Sequence, residues 1–191
     1  MDSPCVVAEV SLDLTGDRRG CVCRKLNLAR WVEATDLDRP SLLRAAAAYA
    51  EFRTLYYYRL RRAGTLGTLA SGLLSIVYPG ERTLHLTCSD IGGGLFIQHG
   101  FATIIAARSL GERCWVNQQV TIGFVRPEDR PVLGDGVAVY AGAKVLGDVT
   151  VGDGAVVGAN AVVLEDVPPG HTAVGVPARL LPPKSERAVD G

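Results

Sequence analysis

Three histidines, His85, His99 and His171, are the side chains of this 191-residue chain best suited to carry a proton near neutral pH. Set against a substrate hydroxyl, an imidazole takes the proton as the oxygen attacks an electrophile. His99 stands in Ile97-Gln98-His99-Gly100, where the glycine leaves its approach open. His171 follows Pro168-Pro169-Gly170 and reads as an exposed turn residue, and His85 reads as structural. A second group of charges, Arg126, Glu128, Asp129 and Arg130, crowds one short stretch. There Arg130 could clamp a carboxylate through a planar pair of hydrogen bonds. The five cysteines (Cys5, Cys21, Cys23, Cys88, Cys114) are irregularly spaced and lack paired C-x-x-C motifs, so no structural zinc is expected. They fit a reduced, cytoplasmic protein.

Two kinds of element must position these residues. Asp36 or Asp38 could cap a helix running through Ser41, Leu42, Leu43 and the alanines 45–48. Glu51 to Arg62 places Phe52, Leu55, Tyr56 and Leu60 at helical spacing, with solvated arginines between them. The apolar run Leu66 to Tyr78, interrupted by Gly67 and Gly72, is too short to span a membrane and predicts a buried helix. Residues 1–27 carry weak signals. From Ile91 the period becomes six: Ile91 and Ile97, then Leu110, Val116, Ile122, Leu133, Val139, Val145, Val151, Val157 and Val163. A second small or aliphatic residue follows four after most of these, as at Cys114, Val120, Ala143 and Ala161, and Leu95 and Phe101 hold that position upstream. Segments 133–150 and 151–168 agree at ten of 18 aligned positions.

Six fits neither an α-helix nor a plain strand. It fits a chain that makes a short strand, turns onto a new face, and closes one coil every three strands. Gly134, Gly142, Gly152 and Gly158 supply the turns. Stacked coils give a mainly β solenoid (residues 89–168), preceded by a segment (1–88) largely helical from about 36 and followed by a tail (169–191). Between Ile122 and Leu133 the spacing stretches to 11, which marks a loop holding Asp129 and Arg130.

Hydrophobic residues make up 48% of the chain and charged residues 21%, enough apolar content for a packed core. Lys+Arg and Asp+Glu number 20 each, and zero net charge argues against nucleic acid or an electrostatic membrane anchor as partner. No basic-then-apolar leader opens the sequence.

The pieces IGGGLFIQHG (91–100), VNQQVTIG (116–123), 133–168 and GVPARLL (175–181) resemble the hexapeptide acyltransferases of the left-handed parallel β-helix fold, and among them the serine acetyltransferases. EFRTLYYYRL is similar to the last helices of that family's N-terminal domain. The resemblance implies transfer from acetyl-CoA to a small hydroxyl acceptor, without metal, in a homotrimer whose grooves hold the coenzyme. It implies His99 as the catalytic base and Gly123, Ala141 and Ala159 as coenzyme-lining residues of equivalent turns. It places Arg179 near the coenzyme phosphates and Asp36 or Asp38 near the acceptor.

Two departures stand out. The family places an Asp before its catalytic histidine, where this chain has Gln98. Its loop carries Arg-His-Pro where this chain has Asp129-Arg130-Pro131. The loop is expected to project over the groove beside His99, with Asp129 and Arg130 near the acceptor. Gln98 could donate a hydrogen bond where an Asp would accept one from an ammonium, which leaves a sugar hydroxyl open as the alternative acceptor. A zinc carbonic anhydrase on the same fold would need three histidines on facing coils, and the sequence puts only His99 there. A non-acylating scaffold is the remaining alternative.

Overall fold

A computed structural model describes Trp31 and residues 42–183; the suggested helix caps Asp36 and Asp38 lie outside them. Three helices come first: α1 (Leu42–Ala48), α2 (Ala50–Arg62) and α3 (Thr65–Val77). Short strands follow: β1 (Leu84–Leu86), β2 (Asp90–Ile91), β3 (Phe96–Ile97), β4 (Thr103–Ile105) and β5 (Ser109–Leu110). Then come β6 (Trp115–Val116), β7 (Thr121–Gly123), β8 (Val132–Leu133), β9 (Ala138–Val139) and β10 (Lys144–Leu146). The last are β11 (Thr150–Val151), β12 (Val156–Val157), β13 (Val162–Val163), β14 (Thr172–Val174) and β15 (Arg179–Leu181).

Through β13 every third strand pairs in parallel with its equivalent one coil on, and β14 then pairs with β12. Sheet A is β1-β4-β7-β10-β13, sheet B is β2-β5-β8-β11, and sheet C runs β3-β6-β9-β12-β14 with β15 added antiparallel. The chain therefore winds C to A to B around a three-faced solenoid, as the six-residue period requires. His85 pairs with Ile104 on sheet A, so it belongs to the coils rather than preceding them.

The repeat-start residues point inward, and the structure adds Ile105 on sheet A and Ala173 on sheet C to their rows. Ile105, Ile122, Val145 and Val163 stack on sheet A, Ile91, Leu110, Leu133 and Val151 on sheet B, and Ile97, Val116, Val139, Val157 and Ala173 on sheet C; all are buried. Burying each such side chain contributes about 1.5–3 kcal/mol. The Gly-Asp-Gly turns add a ladder: Asp135 Oδ1 accepts the Glu112 N–H at 2.7 Å, and Asp153 Oδ1 accepts the Asp135 N–H at 2.8 Å. The turn glycines divide by role. Gly142 has a positive φ of 73°, whereas Gly134 is required by close approach: a Cβ there would sit 2.9 Å from the Asp153 nitrogen.

The helices cover one end of sheet C. Trp31 packs against Phe52 (5.1 Å between ring centroids) and Phe96 (4.8 Å), and Phe96 packs on Trp115 (4.9 Å). Arg59 is not solvated: it is buried on α2 and donates to the carbonyls of Ile91 and Gly92, while burial lowers its pKa. Helix α3 exists but is not buried, since Leu66, Leu69, Leu73, Ile76 and Val77 face outward.

Candidate active site

The corners between sheets C and A form one column, residues 98–102, 117–120, 140–143 and 158–161, with the β14–β15 hairpin turn 175–178 beyond its last corner. At about 4.8 Å per coil its four corners rise roughly 14 Å. Its first corner is the exceptional one. Ile97 pairs with Val116 and Ile105 with Ile122, so eight residues in the first coil do the work of six in the next. The two extra residues push the corner outward. His99 lies in them, exposed, with a left-handed backbone (φ 53°). Ala102, Gln119, Gly142 and Asn160 carry the ordinary left-handed residue of successive corners, and His99 adds a second to the first corner. Phe101, the second-position residue after Ile97, is 47% exposed because of this insertion.

The corner is clamped from beneath. Glu51 Oε1, in the first turn of α2, accepts the Gly100 N–H at 3.1 Å. A Cβ on Gly100 would meet Glu51 Cγ and Ile97 Cγ2, each at 2.9 Å, so only glycine lets helix and corner meet so closely. Gln98 is half-buried beside His99, its N–H donating to the Val116 carbonyl at 2.9 Å. One coil on, Gln118 has a buried side-chain oxygen with no hydrogen-bond partner among the described residues, an acceptor free for a donor on a bound molecule.

Arg130 lies elsewhere. The loop 124–131 leaves β7 and enters β8, at the edge between sheets A and B. Arg130 donates to the carbonyls of Ala106 and Pro127, each at 3.2 Å, and its guanidinium lies 4.4 Å from the Phe124 ring centroid. Ala106 follows β4, whereas His99 precedes it. The three residues of β4 alone separate the two edges by about 10 Å. Within one chain Arg130 is therefore not beside His99, contrary to the expectation for the loop. Asp129 is half-buried in the same loop, its N–H bonded to the Arg126 carbonyl at 3.0 Å. Arg108 ties the loop down, reaching the Glu128 carbonyl (3.3 Å) and Asp148 (3.0 Å).

Of the expected coenzyme-lining residues, Ala141 and Ala159 do share the column of His99, joined by the Asn160 N–H to the Ala141 carbonyl at 2.9 Å. Gly123 does not. It ends β7 at the A–B edge and pairs with Leu146, because the equivalent of Ala141 in its coil is Gln118. Arg179 is exposed on β15, where the chain leaves the hairpin turn 175–178. Asp36 lies outside the described residues. Among the described residues no three of His, Cys, Asp and Glu gather as a metal site. Cys88 and Cys114 are buried, and burial pushes the Cys88 thiol up.

Sequence reasoning missed Glu51, which is 49 positions from Gly100 and carries no local signal. The insertion at 98–103 was legible in principle, since the series breaks between Ile97 and Leu110.

Residues 130–165 match the family model described as bacterial transferase hexapeptide (six repeats). A serine acetyltransferase of Helicobacter pylori is 37% identical over 145 residues, which cover 74% of this chain and 79% of that protein. One from Synechocystis sp. is 47% identical over 103 residues, 52% of this chain, and the match spans only 41% of that protein's length. The solved structure of Neisseria gonorrhoeae serine acetyltransferase in complex with serine aligns with a TM-score of 0.64 at 27% identity, covering 86% of this chain and 70% of that one.

Proposed function

The chain belongs to the serine acetyltransferase family, and on that premise we propose that it moves the acetyl group of acetyl-CoA to the hydroxyl of serine or a serine-like small acceptor. One observation carries the reading to particular atoms. His99 is held outward, in a strained backbone conformation, at the head of the column that contains Ala141 and Ala159 and ends near Arg179. Non-glycine residues in left-handed conformations concentrate where function requires a side chain in one place.

In this reading the pantetheine arm lies along the C–A column, its amides against corner backbone and the Gln118 oxygen. Arg179 meets the phosphates. The acceptor oxygen attacks the thioester carbon while His99 takes its proton. The tetrahedral oxyanion is met by backbone N–H donors. Collapse expels the coenzyme A thiolate, which recovers the proton from His99. No covalent enzyme intermediate is needed.

Arg130 enters from a second copy. It occupies the opposite edge of sheet A, so a groove between two copies can hold His99 of one and Arg130 of the next. Three copies about an axis close that arrangement into a homotrimer. Arg130 then clamps the acceptor carboxylate, with Asp129 beside it.

Gln98 favours the second reading, a sugar hydroxyl as acceptor, because a neutral amide stands where the family's carboxylate would hold an ammonium. An acceptor panel with free-thiol release as readout decides between them. Serine should release thiol from acetyl-CoA well above the rate of hydrolysis. Release with sugars and none with serine would overturn the serine assignment.

A further inference from the structure

Helix α3 is built inside out. Its sequence, TLGTLASGLLSIV, has no charged residue. At 100° per residue Leu66, Leu69, Leu73, Ile76 and Val77 fall on one face, and they are 61%, 65%, 70%, 78% and 68% exposed. The opposite face, Gly67 and Ser71, is the buried one. Gly67 is pressed onto α2 so closely that a Cβ would overlap the Leu60 carbonyl oxygen, at 2.1 Å. Ser71 Oγ accepts from Arg61 Nε at 3.4 Å. The small face thus holds the helix to the protein and leaves the large aliphatic face outside. An apolar patch of this kind marks a docking surface.

The surroundings say what docks. Beside α3, between α2 and β1, lies a cleft of about 590 Å³ whose lining includes Tyr57, Tyr58, Arg61, Arg62, Arg82 and His85, with Ser75 of α3 on its wall. Among the described residues Glu81 is the one acid lining it, and its carboxylate is occupied by the Thr83 N–H (3.0 Å) and hydroxyl (2.7 Å). Neutrality of the whole chain conceals this local excess of positive charge. A layer with apolar chains beneath anionic headgroups complements both the aliphatic face and the basic cleft.

We propose that α3 and the arginine-lined cleft form a docking surface for an anionic phospholipid membrane, with Leu66, Leu69, Leu73 and Ile76 at the acyl boundary and a headgroup phosphate in the cleft. This is interfacial attachment, not insertion: among the described residues no helix is long and apolar enough to cross a membrane.

The test uses the full chain with Leu73→Trp, against vesicles of phosphatidylcholine alone or with about three lipids in ten replaced by phosphatidylglycerol. Trp31 is buried and Trp115 half-buried, so the new indole supplies the solvent-exposed signal. Its emission should be that of water in buffer and should shift to the blue with anionic vesicles only. Co-sedimentation of the otherwise native chain should weaken about thirtyfold with Arg61→Gln plus Arg82→Gln, and should be lost with Leu69→Ser plus Leu73→Ser. Acetyl transfer to a soluble acceptor should be unchanged in the Leu73→Trp protein, so the outcome stands apart from the catalytic reading. Emission already blue in buffer and unmoved by vesicles would mean that the chain itself or a second copy covers the face. Equal binding to neutral vesicles would show that the arginines contribute nothing. Either result overturns the proposal.

Discussion

Glu51 accepts the main-chain N–H of Gly100 at 3.1 Å, and through that bond a helix of the N-terminal segment holds the corner that carries His99. Glu51→Ala removes the acceptor and should lower kcat about ten- to hundredfold, because a small displacement of a catalytic group is enough for such a loss. The KM for acetyl-CoA should stay constant, since Ala141 and Ala159 lie on other coils. Glu51→Gln keeps an oxygen for the same bond and should recover most of the rate. Steady-state kinetics on both variants check this, and wild-type kcat in Glu51→Ala would remove Glu51 from the mechanism.

His99→Asn is the informative replacement at the corner. Asparagine tolerates a left-handed backbone better than most residues, so the fold should keep its melting temperature. Loss of the base should cost about 10²–10⁴-fold in kcat. Calorimetric titration should find coenzyme A affinity nearly intact. Unchanged turnover would mean that the proton leaves by another route.

Arg130→Ala should raise the acceptor KM and leave that of acetyl-CoA alone. A charge-assisted pair contributes about 1.5–3 kcal/mol, roughly a ten- to hundredfold loss in acceptor kcat/KM. Arg130→Lys should recover only a fraction of it, because an ammonium cannot form the planar fork. A sugar acceptor without a carboxylate should be much less affected. Equal kinetics of wild type and Arg130→Ala with every acceptor would make Arg130 a loop anchor only.

His99 and Arg130 occupy opposite edges of sheet A, so complementation tests the assembly. Co-expression of His99→Asn and Arg130→Ala chains should give, at acceptor concentrations well below KM, more activity than either chain alone, since a mixed trimer regains an intact groove. Light scattering should find a trimer. A monomer at micromolar concentration, or mixed trimers without recovered activity, would refute the shared groove.

Gly111→Ala should destabilise more than Gly136→Ala. A Cβ at Gly111 would lie 2.5 Å from the Gly134 carbonyl carbon on the next coil, whereas at Gly136 it would meet nothing within 4 Å. Gly136 has a φ of 67°, so its alanine costs about 1–2 kcal/mol through the left-handed backbone. Gly111→Ala must push adjacent coils apart, at about 1–3 kcal/mol or more. Urea unfolding of the two variants compares them directly, and equal midpoints would count against the close coil contact.

The solenoid was legible in the residues because each coil touches only its neighbours, so a local period of six determines strand, face and core together. Val139, Val145 and Val151 could be assigned inward from spacing alone, and the loop after Ile122 announced itself as a break in that spacing. Placing a residue on an edge is different, because it depends on the summed length of every preceding corner. Gly123 and Ala141 look equivalent in sequence yet end on different edges. Arg130 looked adjacent to the groove of His99 yet is anchored across sheet A, and two extra residues at 98–103 turned Phe101 outward. The helices shared no period with the coils. The burial of Arg59 on the Ile91 and Gly92 carbonyls, the bond from Gly100 to Glu51, and the choice of Gly67 and Ser71 as the inward face of α3 all arise from contacts between distant segments. There, steric fit against a particular neighbour overrides the apolar pattern that sequence alone displays.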